Sequence, residues 1–355
     1  MARLRLMRAP LKYVQGKEAL LEFYNYFKDL GKNWLFICSR SGNRTCHDPL
    51  EKGFGDSDTH RHYEVFGGIS SVGEIDKFRK MVREESIDVV VGVGGGSAID
   101  TAKATAYYEG KRVVIIPTVV ATDAPCTGLS VIYNNDGSFN TYLFYPNNPD
   151  GVLVDSDIIA HAPVKFLVAG MGDALGTYFE ARACYRTDAP SLENGGITRS
   201  AMALCELCYE TLRNYGAQAK MAVEKQVVTP ALDAIIEANV YLSGVGALAC
   251  AHSFYNGITS LGGHSAPHGN CVAFGTLVQL VLEGVEEDEF RDVQGFCKEV
   301  GLPTTLAELG ITTDEQIRQI AKVACVPGES IHNMVADVTE DQLYAAIVQA
   351  DALGK

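Results

Sequence analysis

Residues 89 to 103, VVVGVGGGSAIDTAK, constrain this chain more than any other stretch. Val89 to Val91, preceded by Ile87 and Asp88, form a β-branched run without polar alternation, which predicts a strand buried on both faces. Gly92, Gly94, Gly95 and Gly96 follow, then Ser97 at a suitable N-cap position, and Ala98 to Tyr107 reads as a helix. A strand, a glycine turn and a helix N-terminus together make a phosphate site. Backbone N–H groups point outward, the helix dipole favours an anion, and missing Cβ atoms let a pyrophosphate approach. The spacing is not the usual dinucleotide fingerprint, because Ser97 stands where a third glycine or alanine is expected. A tight turn without a ligand remains the alternative.

A length of 355 residues predicts two domains, each with its own core. The net charge of −14 argues against partnership with nucleic acid or an anionic membrane surface. No apolar run is long enough to span a membrane, and the first 16 residues lack the apolar segment of a signal peptide. The ten cysteines follow no framework spacing, which fits reduced thiols in a cytoplasm. Cys205 and Cys208 form a CxxC, but in an apolar helical pattern they read as two core thiols one turn apart.

Strand and helix signals alternate through the first 160 residues, which predicts a doubly wound parallel sheet. Lys17 to Leu30 reads as a helix, Trp34 to Cys38 as a strand and 43 to 62 as a polar exposed loop. Ser39 and Arg40 follow the early strand at a position that often holds the adenosine ribose. An acidic residue there selects NAD, and small or basic residues admit NADP. An ordinary surface loop explains the same residues. Arg112 to Ile116 is another strand, and Ala121 to Pro125 lies at its carboxyl end, where such sheets bind ligands. From about Ile158 helical patterns dominate, among them 164 to 184, 230 to 251 and 271 to 283. The division expected is a dinucleotide-binding α/β domain over 1–160 and a helical, metal-binding domain over 161–355.

Two histidines stand out in the helical half. His252 and His268 are 16 residues apart, and a bend at Gly262-Gly263 would bring them together. Asp173, a carboxylate in an apolar setting, needs a partner and is the candidate third ligand of an N/O metal site with an open position. A buried helix-capping aspartate and two hydrogen-bonded histidines account for the same letters.

The chain as a whole resembles the glycerol dehydrogenase branch of the iron-containing, or group III, alcohol dehydrogenase superfamily. The stretches that carry the resemblance are GVGGGSAIDTAK (92–103), PTVVATDAPCTGLSVIY (117–133), YLFYPNNPDGVLVD (142–155), APVKFLVAGMGDALGTYFEARA (162–183), VVTPALDAIIEANVYLSG (227–244), PHGNCVAFGTLVQLVLE (267–283) and GESIHNM (328–334). It implies an N-terminal Rossmann-like parallel-sheet domain followed by an all-α domain, the architecture shared with dehydroquinate synthase-like enzymes. By motif, Asp173, His252 and His268 correspond to the ligands of a divalent metal, zinc in the glycerol branch and often iron (Fe2+) in relatives. Gly94, Gly95, Gly96 and Ser97 correspond to the pyrophosphate turn, with Asp100 counted among the cofactor positions. Thr118, Thr122, Ser130 and Val131 correspond to positions on the nicotinamide side, and Asp123 to the residue near the substrate hydroxyls. Ser39 stands where NAD-dependent relatives tend to carry aspartate. Tyr255 replaces a second histidine usual in the glycerol branch, and His264 offers a competing imidazole four residues before His268.

The activity implied is metal-dependent, NAD(H)- or NADP(H)-linked oxidation of a small polyol or vicinal diol, of the glycerol-to-dihydroxyacetone type, or the reverse reduction of the ketone. Asp123, Asp173, His252 and His268 would carry it. The resemblance also implies a homo-oligomer. Two alternatives stay open. One is a dehydroquinate synthase-like lyase that uses bound NAD transiently, although 245 to 275 contains none of the Lys or Arg expected for a phosphorylated substrate. The other is a dehydrogenase of the same superfamily with a different hydroxy substrate.

Overall fold

Six strands pair in parallel, and both faces of their sheet are covered. The computed structural model describes residues 3–191, 194–263 and 265–355. In chain order its elements are β1 (Tyr13–Gly16), α1 (Phe23–Phe27), β2 (Asn33–Cys38), α2 (Arg40–Phe54), β3 (His60–Val65), α3 (Val72–Glu84), β4 (Val89–Gly94), α4 (Gly96–Tyr108), β5 (Arg112–Pro117), β6 (Leu129–Tyr133), β7 (Phe139–Phe144) and β8 (Gly151–Asp155). Helices follow: α5 (Ser156–Ala160), α6 (Val164–Thr187), α7 (Arg199–Glu224), α8 (Pro230–Glu237), α9 (Cys250–Thr259), α10 (His268–Glu283), α11 (Glu287–Val300), α12 (Asp314–Ala324) and α13 (Glu340–Gly354). The large sheet runs β1-β8-β5-β4-β2-β3, and β6 and β7 form a separate antiparallel pair. No single helix among the described residues is long and apolar enough to cross a membrane.

The strand sequences explain the two-sided burial. Trp34, Phe36, Val89, Val91 and Val93 pack on one face with Phe23, Leu50 and Phe54. Leu35, Ile37 and Val90 alternate onto the other face with Phe78, Val82, Ala98 and Ala102. Helix α2 therefore lies on one face and α4 on the other. The chain turns outward from β2 to β3 and in the opposite direction from β4 to β5. The carboxyl ends of β2 and β4 thus meet at a topological switch point, where open α/β sheets bind ligands.

The chain divides into two units. One comprises Arg8–Pro163 and Ala222–Gly244 and carries the sheet. The other comprises the segment ending at Met7, Val164–Met221 and Val245–Lys355, and is helical.

Several local expectations are corrected. Residues 43 to 62 do not form a loop: α2 occupies Arg40–Phe54 and β3 begins at His60. Ser39 caps α2 by accepting from Gly42 N, and Cys46, Leu50 and Phe54 bury a stripe one residue wide. So narrow a stripe leaves the segment mostly polar, which is why it reads as a loop. Lys17 to Leu30 is not one helix but α1 flanked by 3-10 turns at Ala19–Glu22 and Lys28–Leu30. Strand β4 continues into Gly94, so Gly95 is the N-cap of α4 and Ser97 lies inside the helix. The span 230 to 251 is likewise interrupted. Helix α8 passes into a π turn at Ala238–Leu242 and a 3-10 turn at Ser243–Val245, and α9 starts afresh at Cys250. All ten cysteines are free, and Cys205 and Cys208 are buried.

Candidate metal centre and nucleotide cleft

In the helical unit, α6 and α10 cross at their glycines. A Cβ on Gly269 would collide with the carbonyl of Ala169, and one on Gly172 with the carbonyl of Gly269. Only glycine permits that backbone approach. It sets Asp173, next to Gly172, against His268, the first residue of α10. Asp173 Oδ1 lies 2.9 Å from His268 Nε2 and 3.6 Å from His252 Nε2. The ligating atoms of these three residues all lie within 4.8 Å of one another. His264 lies outside the described residues.

His252 is held from behind. The N-cap of α9, Ala249, has no side-chain cap of its own. Glu180, fully buried on α6, accepts from Ala249 N at 2.7 Å and from His252 N at 3.0 Å through Oε1. Gln279 Oε1 accepts from Cys250 N at 3.2 Å. Two side chains from other helices therefore satisfy three of the backbone donors at the start of α9. The second Glu180 oxygen accepts from His252 Nδ1 at 2.6 Å, which leaves Nε2 as the ring nitrogen turned toward Asp173. The ring of Tyr255 stands perpendicular to the His268 imidazole at 4.2 Å and packs against it.

The electrostatics of the cluster call for positive charge. Burial works to raise the Asp173 carboxyl, but the charges and hydrogen bonds of His268 and His252 outweigh it and hold the carboxyl well below the usual range. Burial works to lower His252, and Glu180 and Asp173 carry it well above the ordinary imidazole value. In the bare chain that upward shift favours a proton on His252. A divalent cation would supply the positive charge with the imidazoles neutral. The spacing suits one: ligands about 2.0–2.1 Å from a tetrahedral ion lie about 3.3 Å apart, between the two distances observed. Three protein ligands leave a fourth position open.

In the sheet-bearing unit, a cleft of about 470 Å³ opens at the switch point between β2 and β4. Ser39 and Arg40 line it after β2, Phe66 to Gly68 after β3, and Gly95 to Ala98 after β4. Gly94 lies beneath, where a Cβ would press on the Ser39 hydroxyl at 2.8 Å and on Ala98 Cβ at 2.9 Å. Gly96 has nothing within 4 Å of its absent Cβ, which leaves open space at the first turn of α4. The helix end and this open cradle fit a pyrophosphate. No carboxylate lines the cleft beside Ser39, and Arg40 brings a cation.

The other expected positions fall into two further groups. Thr118, Thr122 and Asp123 lie on the loop after β5, and Thr118 N donates to Gly94 O at 3.0 Å. Asp100, Ser130 and Val131 meet beneath α4. Asp100 Oδ2 accepts from Val131 N at 3.1 Å, and the Ser130 hydroxyl donates to the Asp100 carbonyl at 3.4 Å. Two residues escaped the sequence reading. Glu180 stands seven residues, two helical turns, after Asp173, and that spacing was the available signal. Lys103 gave none, because a lysine in a helix normally faces water.

The family model for iron-containing alcohol dehydrogenases matches residues 10–156. A glycerol dehydrogenase of Escherichia coli O6:H1 is 45% identical over 99% of this chain and 98% of its own length. The crystal structure of glycerol dehydrogenase from Schizosaccharomyces pombe matches at a TM-score of 0.94 and 36% identity, covering 99% of this chain and 91% of that one. That of a probable glycerol dehydrogenase from Sinorhizobium meliloti 1021 matches at 0.90 and 38%, covering 99% of both chains.

Proposed function

This chain belongs to the iron-containing alcohol dehydrogenase family, and we propose that it oxidises glycerol or another small vicinal diol to the hydroxyketone with a nicotinamide dinucleotide, or runs the reverse reduction. The observation that carries the proposal is the cluster of Asp173, His252 and His268, two nitrogens and one oxygen within 4.8 Å of one another. The relatives named glycerol dehydrogenase support the substrate class.

A divalent cation held by these residues would supply Lewis acidity toward a substrate hydroxyl, and a bound nicotinamide would supply the hydride acceptor. The protein's residues do the rest. Asp173, His252 and His268 hold the ion, and Glu180 keeps His252 in the tautomer that presents Nε2. Tyr255 fixes the His268 ring. The N–H groups at Gly95 to Ser97 bind the pyrophosphate. Asp123 accepts a hydrogen bond from the second hydroxyl of the diol and so selects vicinal diols. Thr118, Thr122, Ser130 and Val131 form the nicotinamide side. The absence of a carboxylate at Ser39, with Arg40 beside it, extends the cofactor range to NADP(H). The ion proposed is zinc, with ferrous iron as the alternative, and the active form is a cytoplasmic homo-oligomer.

The test is dihydroxyacetone reduction by chelator-stripped protein, with NADH and NADPH in parallel, before and after addition of zinc or ferrous ion. Consumption that depends on the added metal and is lost in Asp173→Asn is expected. Metal-independent turnover, or wild-type turnover by a metal-loaded Asp173→Asn, would overturn the proposal.

A further inference from the structure

Lys103 is a lysine with almost no exposure, 2%. Burial of an ammonium is costly unless every donor is used and a counter-charge is near. Both conditions are met. Its Nζ donates to the carbonyls of Ala124 at 2.9 Å, Thr127 at 3.3 Å and Leu129, and lies 3.3 Å from Asp100 Oδ1. Asp100, one turn earlier on α4, accepts from Val131 N. The pair therefore binds the main chain from Ala124 to Val131 to a single helix, the one whose N-terminus forms the glycine turn.

The loop that leads into this segment starts at the same turn. Thr118 N donates to Gly94 O, and Val120 O accepts from Asn239 Nδ2 at 3.1 Å. The stretch that carries Thr122 and Asp123 is thus tied before and after by fixed groups. Cys126 N donates to Asp123 O at 2.8 Å, so the main chain pinned by Lys103 is continuous with the main chain of Asp123. Gly244 closes the remaining side, where a Cβ would lie 3.2 Å from Thr127 Cγ2 and 3.5 Å from Asp123 Cβ.

We propose that Lys103, with Asp100, is a positioning residue for Asp123: the buried ammonium sets the height of the Ala124–Leu129 backbone and thereby where the Asp123 carboxylate meets the second hydroxyl of the substrate. This rests on the role given to Asp123 under the proposed function. Three carbonyl oxygens converge on one nitrogen, an arrangement a methylene chain of the same length cannot replace. Without the charge the carbonyls repel one another and the loop moves. A guanidinium keeps the charge but is too broad for the same three acceptors.

The experiment compares a vicinal diol, 1,2-propanediol, with 2-propanol, which lacks the second hydroxyl. It uses the metal-loaded wild type, Asp123→Asn, Lys103→Met and Lys103→Arg. The readouts are the ratio of the two kcat/KM values, the cofactor dissociation constant and the melting temperature. Wild type prefers the diol. Asp123→Asn is expected to lower the ratio at least tenfold. Lys103→Met is expected to lower it by a similar factor, through KM for the diol, with the cofactor dissociation constant within twofold. Lys103→Arg is expected to lie between, and it decides by the same ratio if Lys103→Met does not fold. An unchanged ratio in the lysine variants, with lost melting temperature alone, would mean a purely structural role and overturn the inference. An unchanged ratio in Asp123→Asn would instead overturn the reading of Asp123, and this inference with it.

Discussion

His252 donates its Nδ1 hydrogen to Glu180 Oε2 across 2.6 Å, and the other oxygen of the same carboxylate accepts from Ala249 N and His252 N at the start of α9. One buried side chain therefore both starts the helix and fixes the imidazole that the helix presents. Glu180→Gln keeps the shape and still accepts from Ala249 N and His252 N, but it withdraws the charge behind the ring. Metal affinity is expected to fall about 10–100-fold. Metal content after dialysis against a weak chelator measures it, and equal retention by wild type and variant would count against this role.

The crossing of α6 and α10 depends on Gly269, whose Cβ would collide with the Ala169 carbonyl. Gly269→Ala must push the helices apart, and Asp173 and His268 separate with them. A loss of about 3 kcal/mol is expected from overpacking at a backbone contact, together with weaker metal binding. Denaturant titration and metal content are the measurements. A variant with unchanged midpoint and metal content would show that the crossing is looser than the geometry implies.

Ser39 caps α2 through Gly42 N and also faces the nucleotide cleft. Aspartate caps helices as well as serine does, so Ser39→Asp should fold normally. A carboxylate there repels the 2′-phosphate of NADP and accepts from the ribose hydroxyls of NAD. The ratio of kcat/KM for NADH over NADPH is expected to rise at least tenfold. A ratio that does not move would place cofactor choice elsewhere.

Asp88 accepts from Lys32 N and Asn33 N, each at 2.9 Å, at the start of β2. The bond from Asn33, then that from Lys32, outweigh the cost of burial and hold its carboxyl below the ordinary value. A carboxyl depressed by folding contributes stability that is present in full above its unfolded value of about 3.9 and disappears as the pH falls through the folded value. Asp88→Asn should therefore cost about 1 kcal/mol at pH 7. The gap between variant and wild type should close as the pH drops below about 4. Thermal melts at pH 7, 5 and 3 test this, and a gap that widens in acid would contradict the sign.

The parallel sheet and the glycine turn were legible because each is a local pattern, whereas Asp173, His252 and His268 were open candidates by residue type and were singled out together as ligands only through their motifs' resemblance to the iron-containing alcohol dehydrogenases. Val89 to Val91 without polar alternation must be buried on both faces, and glycines at the strand-to-helix junction leave open space at the first turn of α4. Helix α2 was illegible for an equally local reason, since one apolar residue per turn is too weak a signal against so many polar neighbours. Glu180 and Lys103 were hidden differently. What makes them unusual is complete burial with every charge answered, and their partners lie 72 and 21 to 26 residues away.

By itself the sequence determined most of the strands and helices and which residue types stand ready for cation and phosphate chemistry, because propensity and periodicity act over a few residues. Tertiary structure alone decided that Asp173, His252 and His268 meet, since that depends on glycine-to-backbone contact between two helices nearly a hundred residues apart. It also decided that Ala222–Gly244 joins the sheet-bearing unit, where Asn239 and Gly244 close on the Asp123 loop. Contacts of that kind are chosen by shape and by the need to satisfy buried polar groups, and neither has a period that a sequence displays.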